Sequence, residues 1–332
     1  MDRRDTPGHD DVMNYVFASE HQMWGTIMDV EYCAGTVVCI PLGEHKIDAL
    51  FRPAADPGLY RRDTPVVLRL HGVLGNLLDE TEHFLPKALA ERGYASITMN
   101  TALANLGLFY GFGVFDDVIP QIEAVCDYLR AADFTRIILA GHGLGAAMAV
   151  RYAAASNHLA SKPRPVQGLV AIAAPYSLPE TIRRRWERFG AEPGYEEVHL
   201  RARQAIDGGR WPQDQTIVIR RAHGPSRRPE HAEIYTLKTW WALAGPEAVG
   251  PKVYQHIGEV AVPLLLVSGR EDEIVAAQEG EDLSRVARSA GNPDVTHVVL
   301  DANHRFDGKH KELSDTIVQW LGDRFGRQWD AQ

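Results

Sequence analysis

The sequence predicts an α/β fold: a mostly parallel central sheet with helices on both faces and a helical cap inserted before one of the last strands. Three observations lead there. Short apolar runs recur at residues 66–70, 95–99, 137–140, 169–173, 264–267 and 295–300, and strands buried on both faces read as continuous apolar runs. Between them lie segments of helical length and spacing, among them 115–130 and 144–155, the alternation expected of parallel strands joined by crossover helices. The stretch 176–257 interrupts this rhythm, is rich in Arg, Trp, Pro and Gly, and is too long for a plain loop.

Taken in order, residues 26–32, 35–40 and 46–52 are three β-prone runs separated by short turns, which reads as an antiparallel meander at the edge of the sheet. A break rich in Pro, Asp and Gly at 53–65 precedes the alternating pattern. Helix-like pieces at 179–189 and 234–243 mark the insertion, which is either folded over the C-terminal edge of the sheet, where open α/β sheets bind ligands, or a separate partner module; its length between two sheet strands favours the first. The expected organisation is therefore a core of 1–175 and 258–332 with a cap or lid of 176–257.

Composition narrows the function classes. A chain of 332 residues with 45% hydrophobic content can bury a large core. Its formal net charge of -9 gives no basic footprint for nucleic acid or an anionic membrane, so a small-molecule substrate is expected instead. Cys33, Cys39 and Cys126 show neither CxxC spacing nor a Cys/His cluster, so no disulfide framework, metal site or cofactor is expected, and a cytoplasmic location fits. The polar N-terminus and the lack of a long apolar run predict neither an export signal nor a membrane span.

The most informative segment runs from Arg136 to Val150. An apolar strand leads into Gly141-His142-Gly143-Leu144-Gly145, and an Ala-rich helix follows. This is the strand, sharp turn and helix of a nucleophile elbow, in which flanking glycines let the strained turn pack against neighbouring backbone. A phosphate-binding loop is the rival reading. It lacks the G-x-x-x-x-G-K-[ST] pattern, and a dinucleotide-binding turn normally follows the first strand of its unit rather than a later one.

Across roughly 45–325 the chain resembles capped serine hydrolases of the α/β-hydrolase fold, whose elbow reads Gly-His-Ser-Leu-Gly. The resemblance extends to the segment 66–76, a strand followed by His71-Gly72-Val73, which in the family supplies one oxyanion-hole amide. It implies Val73 N–H as that donor and Leu144 N–H as the second. Downstream, Gly269-Arg270-Glu271-Asp272 resembles the turn bearing the family's acid and implies Asp272 in that role. The loop Asp301-Ala302-Asn303-His304 resembles the one bearing the base and implies His304, with His297 and His310 as fallbacks. Elbow, acid and base in that order match the chain order of α/β-hydrolase triads.

One role is unfilled, because residue 143 is glycine and carries no hydroxyl to form an acyl-enzyme. Three readings compete. A serine has been replaced in an acyl hydrolase acting on a carboxylester, lactone or related bond; the chain is a non-catalytic ligand-binding relative; or it is an enzyme using His304 and Asp272 on water or on a substrate proton, as a lyase or cyclase using His304 as base without a nucleophile or by water attack. Retention of acid, base and both amide positions favours the first. Candidates for substrate contact are His71, Gly72 and His142 beside the turns, together with Tyr110 and Trp240. Trp186, Trp211, Tyr235 and Trp241 add to an aromatic complement that could line a pocket for an apolar or aromatic acyl compound or simply pack the cap. Arg183, Arg184 and Arg185 steer an anionic substrate or form a solvated helix face. The sequence allows a homodimer and gives no oligomeric state.

Overall fold

The computed structural model describes residues 35–56, 63–73, 75–78, 80–105, 112–157, 166–221 and 232–326. The β-prone run at 26–32 and Tyr110 lie outside the described residues.

An eight-stranded sheet forms the centre, in the order β1 (Thr36–Leu42), β2 (His45–Arg52), β4 (Ala95–Met99), β3 (Val66–Leu70), β5 (Ile137–His142), β6 (Gly168–Ile172), β10 (Leu264–Gly269), β11 (Val295–Leu300). The six strands from β4 to β11 run parallel, whereas β2 is antiparallel to both β1 and β4. The composition explains the division. Every residue of β3, β4, β5, β6 and β10 is buried, while β1 and β2 carry exposed polar positions, as suits an antiparallel edge with one wet face.

Helices cover both faces. Residues of α2 (Val118–Ala131), α3 (Leu144–Ser156) and α8 (Ala277–Ser289) join one apolar cluster with Leu68, Leu139, Leu169 and Leu266 of the sheet. On the other face α1 (Glu80–Glu91) and α9 (His310–Phe325) supply Leu85, Leu89, Leu313, Ile317 and Trp320 against Val67, Ile138, Val170 and Leu265. The alternation along each strand sends successive side chains to opposite clusters.

Strand order reverses at β3, since the chain passes from β3 to β4 on one side and then to β5 on the other. Ligands bind in the crevice that such a reversal opens at the carboxyl ends of the strands. The turns following β3 and β5 therefore sit at the crevice.

Between β6 and β10 the chain forms α4 (Leu178–Phe189), α5 (Tyr195–Ile206), α6 (Leu237–Ala244) and α7 (Val253–His256), and also a small antiparallel sheet of β7 (Ala191–Glu192), β8 (Thr216–Arg221) and β9 (Ala232–Thr236). A helical piece over 234–243 is thus corrected: its first three residues finish β9. The alternation of inward Glu233 and Tyr235 opposite Ile217 and Ile219 suits a strand. Thr236 then stops it, its extended backbone and its Oγ1 accepting the Thr239 N–H at 3.1 Å to cap α6.

Ties from this segment reach the core. Glu279, at the start of α8, accepts the Tyr176 N–H at 2.8 Å and the Arg184 guanidinium, and Arg188 donates to the Glu273 carbonyl at 3.0 Å. Thr239 Oγ1 donates to the Gly113 carbonyl at 2.8 Å. Arg183 pairs with Glu187 and Glu196, so Arg183 and Arg184 both form ion pairs. No described helix is long and apolar enough to cross a membrane.

Candidate active site

A single residue, Gly143, separates the last residue of β5 from the first of α3, so the reversal of direction is concentrated there. Its φ of 54° and ψ of -109° lie in a region that L side chains rarely adopt, and backbone contacts hold it. Its N–H donates to the Ile172 carbonyl at 2.9 Å, and its carbonyl accepts from Ala147 at 3.2 Å. The second glycine of the turn has a different reason. A Cβ on Gly145 would stand 2.2 Å from the Leu70 carbonyl oxygen and 2.8 Å from that of His71, so the first turn of α3 rests directly on the exit of β3.

The two candidate oxyanion amides belong to the turns on either side of that close approach. Leu144 is the first residue of α3, where a backbone N–H has no carbonyl one turn earlier to accept it and the helix dipole favours negative charge. Val73, half-buried, lies in the turn after β3, and this turn is fastened from both sides. Gly72 offers its carbonyl to Gly75 N–H at 3.1 Å and to His71 Nδ1 at 3.0 Å. Gly75 O accepts from Asn105 N, and Leu77 N–H donates to Asn100 Oδ1, both at 2.8 Å.

The candidate acid and base follow neighbouring strands. Arg270 N–H donates to Leu300 O at 2.8 Å and Glu271 N–H to Ala302 O at 3.0 Å, which clamps the turn after β10 onto the loop after β11. The Asp272 side chain is wholly inaccessible, and its carboxylate takes three donors: Ile274 N–H and Val275 N–H on Oδ1, each at 2.8 Å, and His304 Nδ1 on Oδ2 at 2.8 Å. With Nδ1 donating, Nε2 of His304 carries the lone pair. A Cβ placed on Gly143 would lie 3.8 Å from that Nε2 and 3.9 Å from Cε1.

Three residues that the sequence offers as substrate contacts are wall rather than lining, and these are corrections. His71 is fully buried: Nδ1 donates to the Gly72 carbonyl, and Nε2 accepts from the Thr101 hydroxyl at 2.8 Å. It props the oxyanion turn against the loop after β4. His142 is buried too, and its Nε2 donates to the His304 carbonyl at 2.8 Å, which fixes the base loop. Trp240 has no exposed surface and packs among Trp186, Tyr195 and His199, because α6 turns its apolar face inward. The fallback histidines lie elsewhere. His297 bonds Ser268 Oγ at 3.0 Å, and His310 stacks on Phe84.

Two contributors went unread in the sequence. Thr101 orients His71, and a threonine after a strand carries no signal of that duty. Phe306, two residues past the base, is fully buried at a φ of 58° and meets the His142 ring edge-on. A bulky residue held in left-handed backbone stores strain that the surrounding loop must fix.

Burial, followed by the nearby His304, lowers the His142 pKa to about 3. In the unfolded chain a histidine takes a proton below about pH 6.5, so between these values the unfolded state binds one proton more and stability falls as pH falls, by about 1.4 kcal/mol per pH unit. Replacing His142 with Gln keeps an N–H donor for the His304 carbonyl and removes the titration. The slope of unfolding free energy between pH 6 and 4 should flatten by one proton's worth, as read by urea titration at each pH. Equal slopes in both proteins would contradict the assignment.

Comparison with solved structures supports the fold. The Butyrivibrio proteoclasticus protein Est1E aligns at a TM-score of 0.58 with 16% identity, covering 89% of this chain and 100% of that one. An esterase domain from a Rhodothermus marinus protein aligns at 0.57 with 18% identity, covering 88% and 100%. The Pyrococcus furiosus esterase Pf2001 aligns at 0.57 with 18% identity, covering 87% and 91%. A search of curated proteins finds none that matches in sequence. The sequence itself matches the alpha/beta hydrolase family over residues 67–315, and the chain belongs to that family.

Proposed function

We propose that this chain is a serine-hydrolase-type acyl hydrolase, built for a carboxylester, lactone or related acyl bond, in which glycine has replaced the nucleophilic serine at residue 143. The observation that carries this reading is the dyad geometry. His304 is tethered to Asp272 at 2.8 Å through Nδ1 while its Nε2 faces the position of a residue-143 side chain at 3.8 Å from the Cβ. A hydroxyl on that Cβ would fall within hydrogen-bond reach of Nε2.

The chemistry follows from the parts. His304 takes the hydroxyl proton as the oxygen attacks the acyl carbon, and Asp272 holds the tautomer and the resulting imidazolium. Charge developing on the carbonyl oxygen is met by the Val73 and Leu144 N–H groups, which need no rearrangement during the reaction. Segment 176–257 acts as a lid over this edge, tied down through Arg184, Arg188 and Thr239. The substrate class is an apolar or aromatic acyl compound. Leu78 and Phe112, exposed in the loops that follow β3 and β4, offer apolar surface on the same edge of the sheet, and ferulic acid, the ligand in one Est1E structure, is of that chemical type.

The test is covalent labelling. A fluorophosphonate should leave the chain unmodified and should modify the Gly143→Ser protein once, at residue 143, as read by intact mass and peptide mapping. A folded Gly143→Ser protein that takes no label would count against the reading.

A further inference from the structure

We infer that the chain as it stands, with glycine at 143, activates a small external nucleophile, water or a short alcohol, in the volume a residue-143 side chain would fill, and transfers an acyl group to it without an acyl-enzyme. This rests on the acyl-hydrolase reading above and adds to it a reaction in which no protein atom attacks.

The geometry supplies the room. Among the described residues, and apart from its chain neighbours His142 and Leu144, a Cβ at residue 143 would have only His304 Nε2 and Cε1 within 4 Å, so no other described backbone touches that position. A hydroxymethyl group occupies about the volume of one water, about 30 Å³, so a water or a small alcohol fits beside Gly143, at non-bonded distance from its Cα, with its oxygen toward His304 Nε2. Its orientation is also set. Because Nδ1 of His304 is held by Asp272, the nitrogen that faces this room is the one with the lone pair, and it accepts the nucleophile's proton. The neighbouring His142 ring is centred 4.8 Å from that of His304 and gives its Nε2 hydrogen to the His304 carbonyl, and burial makes its remaining lone pair a weak base.

The step balances without a co-reactant. The oxygen of H–OR bonds to the acyl carbon as its proton passes to His304 Nε2, and the carbonyl electrons move to the oxygen facing the Val73 and Leu144 amides. Collapse re-forms the carbonyl and breaks the bond to the leaving alkoxide, which takes the proton from His304. Water gives the acid, and methanol gives the methyl ester. The tether of an intramolecular serine is lost, so the rate is lower than that of a complete triad, but general-base assistance survives.

The experiment uses the unaltered chain with p-nitrophenyl butyrate and increasing methanol, following both nitrophenolate release and methyl butyrate. Methyl butyrate should form about a hundredfold or more faster than in buffer with the same methanol, the usual contribution of a placed general base. The rate should saturate with methanol, fall at least tenfold with 2-propanol, which is bulkier than a serine side chain, and return to background in His304→Ala. Gly143→Ala, which fills the space, should also abolish it; if that protein does not fold, the alcohol size series on the unaltered chain still decides. Methyl ester formation that persists in His304→Ala, or that ignores alcohol size, would overturn the inference. So would background rates in the unaltered chain: if Gly143→Ser then hydrolyses the ester, this inference alone fails, and if it does not, the acyl-hydrolase reading fails with it.

Discussion

In a Gly143→Ser background, His304→Ala should lower turnover of an activated ester by about a millionfold, and Asp272→Asn by about ten-thousandfold, with little change in KM in either case. The first loss follows from removing the described group, 3.8 Å from the residue-143 Cβ, that can take the hydroxyl proton. The second has a more particular cause. Asp272 Oδ1 accepts the Ile274 and Val275 N–H groups, so an asparagine must keep its carbonyl oxygen there and turn its NH₂ toward His304 Nδ1. That nitrogen would then have to accept, the proton would move to Nε2, and the imidazole could no longer receive one from serine. Steady-state kinetics on both double variants, with folding checked by circular dichroism, measures this. An Asp272→Asn loss of tenfold or less would mean that the backbone donors do not impose the tautomer.

A large structural effect is expected at Gly145. Alanine there would put a Cβ 2.2 Å from the Leu70 carbonyl oxygen, and the obstacle is backbone of a fully buried strand, which has no rotamer by which to move aside. The strand exit and the elbow would have to separate, so Gly145→Ala should cost more than about 4 kcal/mol or prevent folding. Gly143→Ala meets no such wall and should cost only the strain of its positive φ, about 1–3 kcal/mol. Denaturant midpoints rank the two variants. A Gly145→Ala protein as stable as the parent would show that the elbow does not rest on β3 as described.

What the sequence could disclose depended on whether a residue's identity reports its own contacts. The parallel strands were legible because burial on two faces leaves an unbroken apolar run, as in Val66–Leu70. Asp272 and His304 stand out through the resemblance of their loops to the family's acid and base loops, and they lie 2.8 Å apart because two backbone bonds between 270–271 and 300–302 clamp those loops. Those bonds carry no side-chain signature. His71 and His142 were read as facing substrate since both flank a functional turn, yet sequence position does not tell which side of a strand exit a ring occupies. Both rings fall inward, toward Thr101 and the His304 carbonyl. The segment 234–243 looked helical because its aromatic residues fit either period. The pairing of β9 with β8 and the Thr236 cap decide the matter through partners distant in sequence.

If the site lacks one hydroxyl and is otherwise complete, restoring that hydroxyl should restore acylation. Pre-steady-state kinetics of the Gly143→Ser protein with p-nitrophenyl butyrate, beside the parent chain, tests this most directly, because a burst that appears only with the new hydroxyl reports its acylation. The expected result is a nitrophenolate burst equal to the enzyme concentration, abolished by His304→Ala. A correctly folded Gly143→Ser protein that releases nitrophenolate with no burst and at the rate of the parent chain would contradict it.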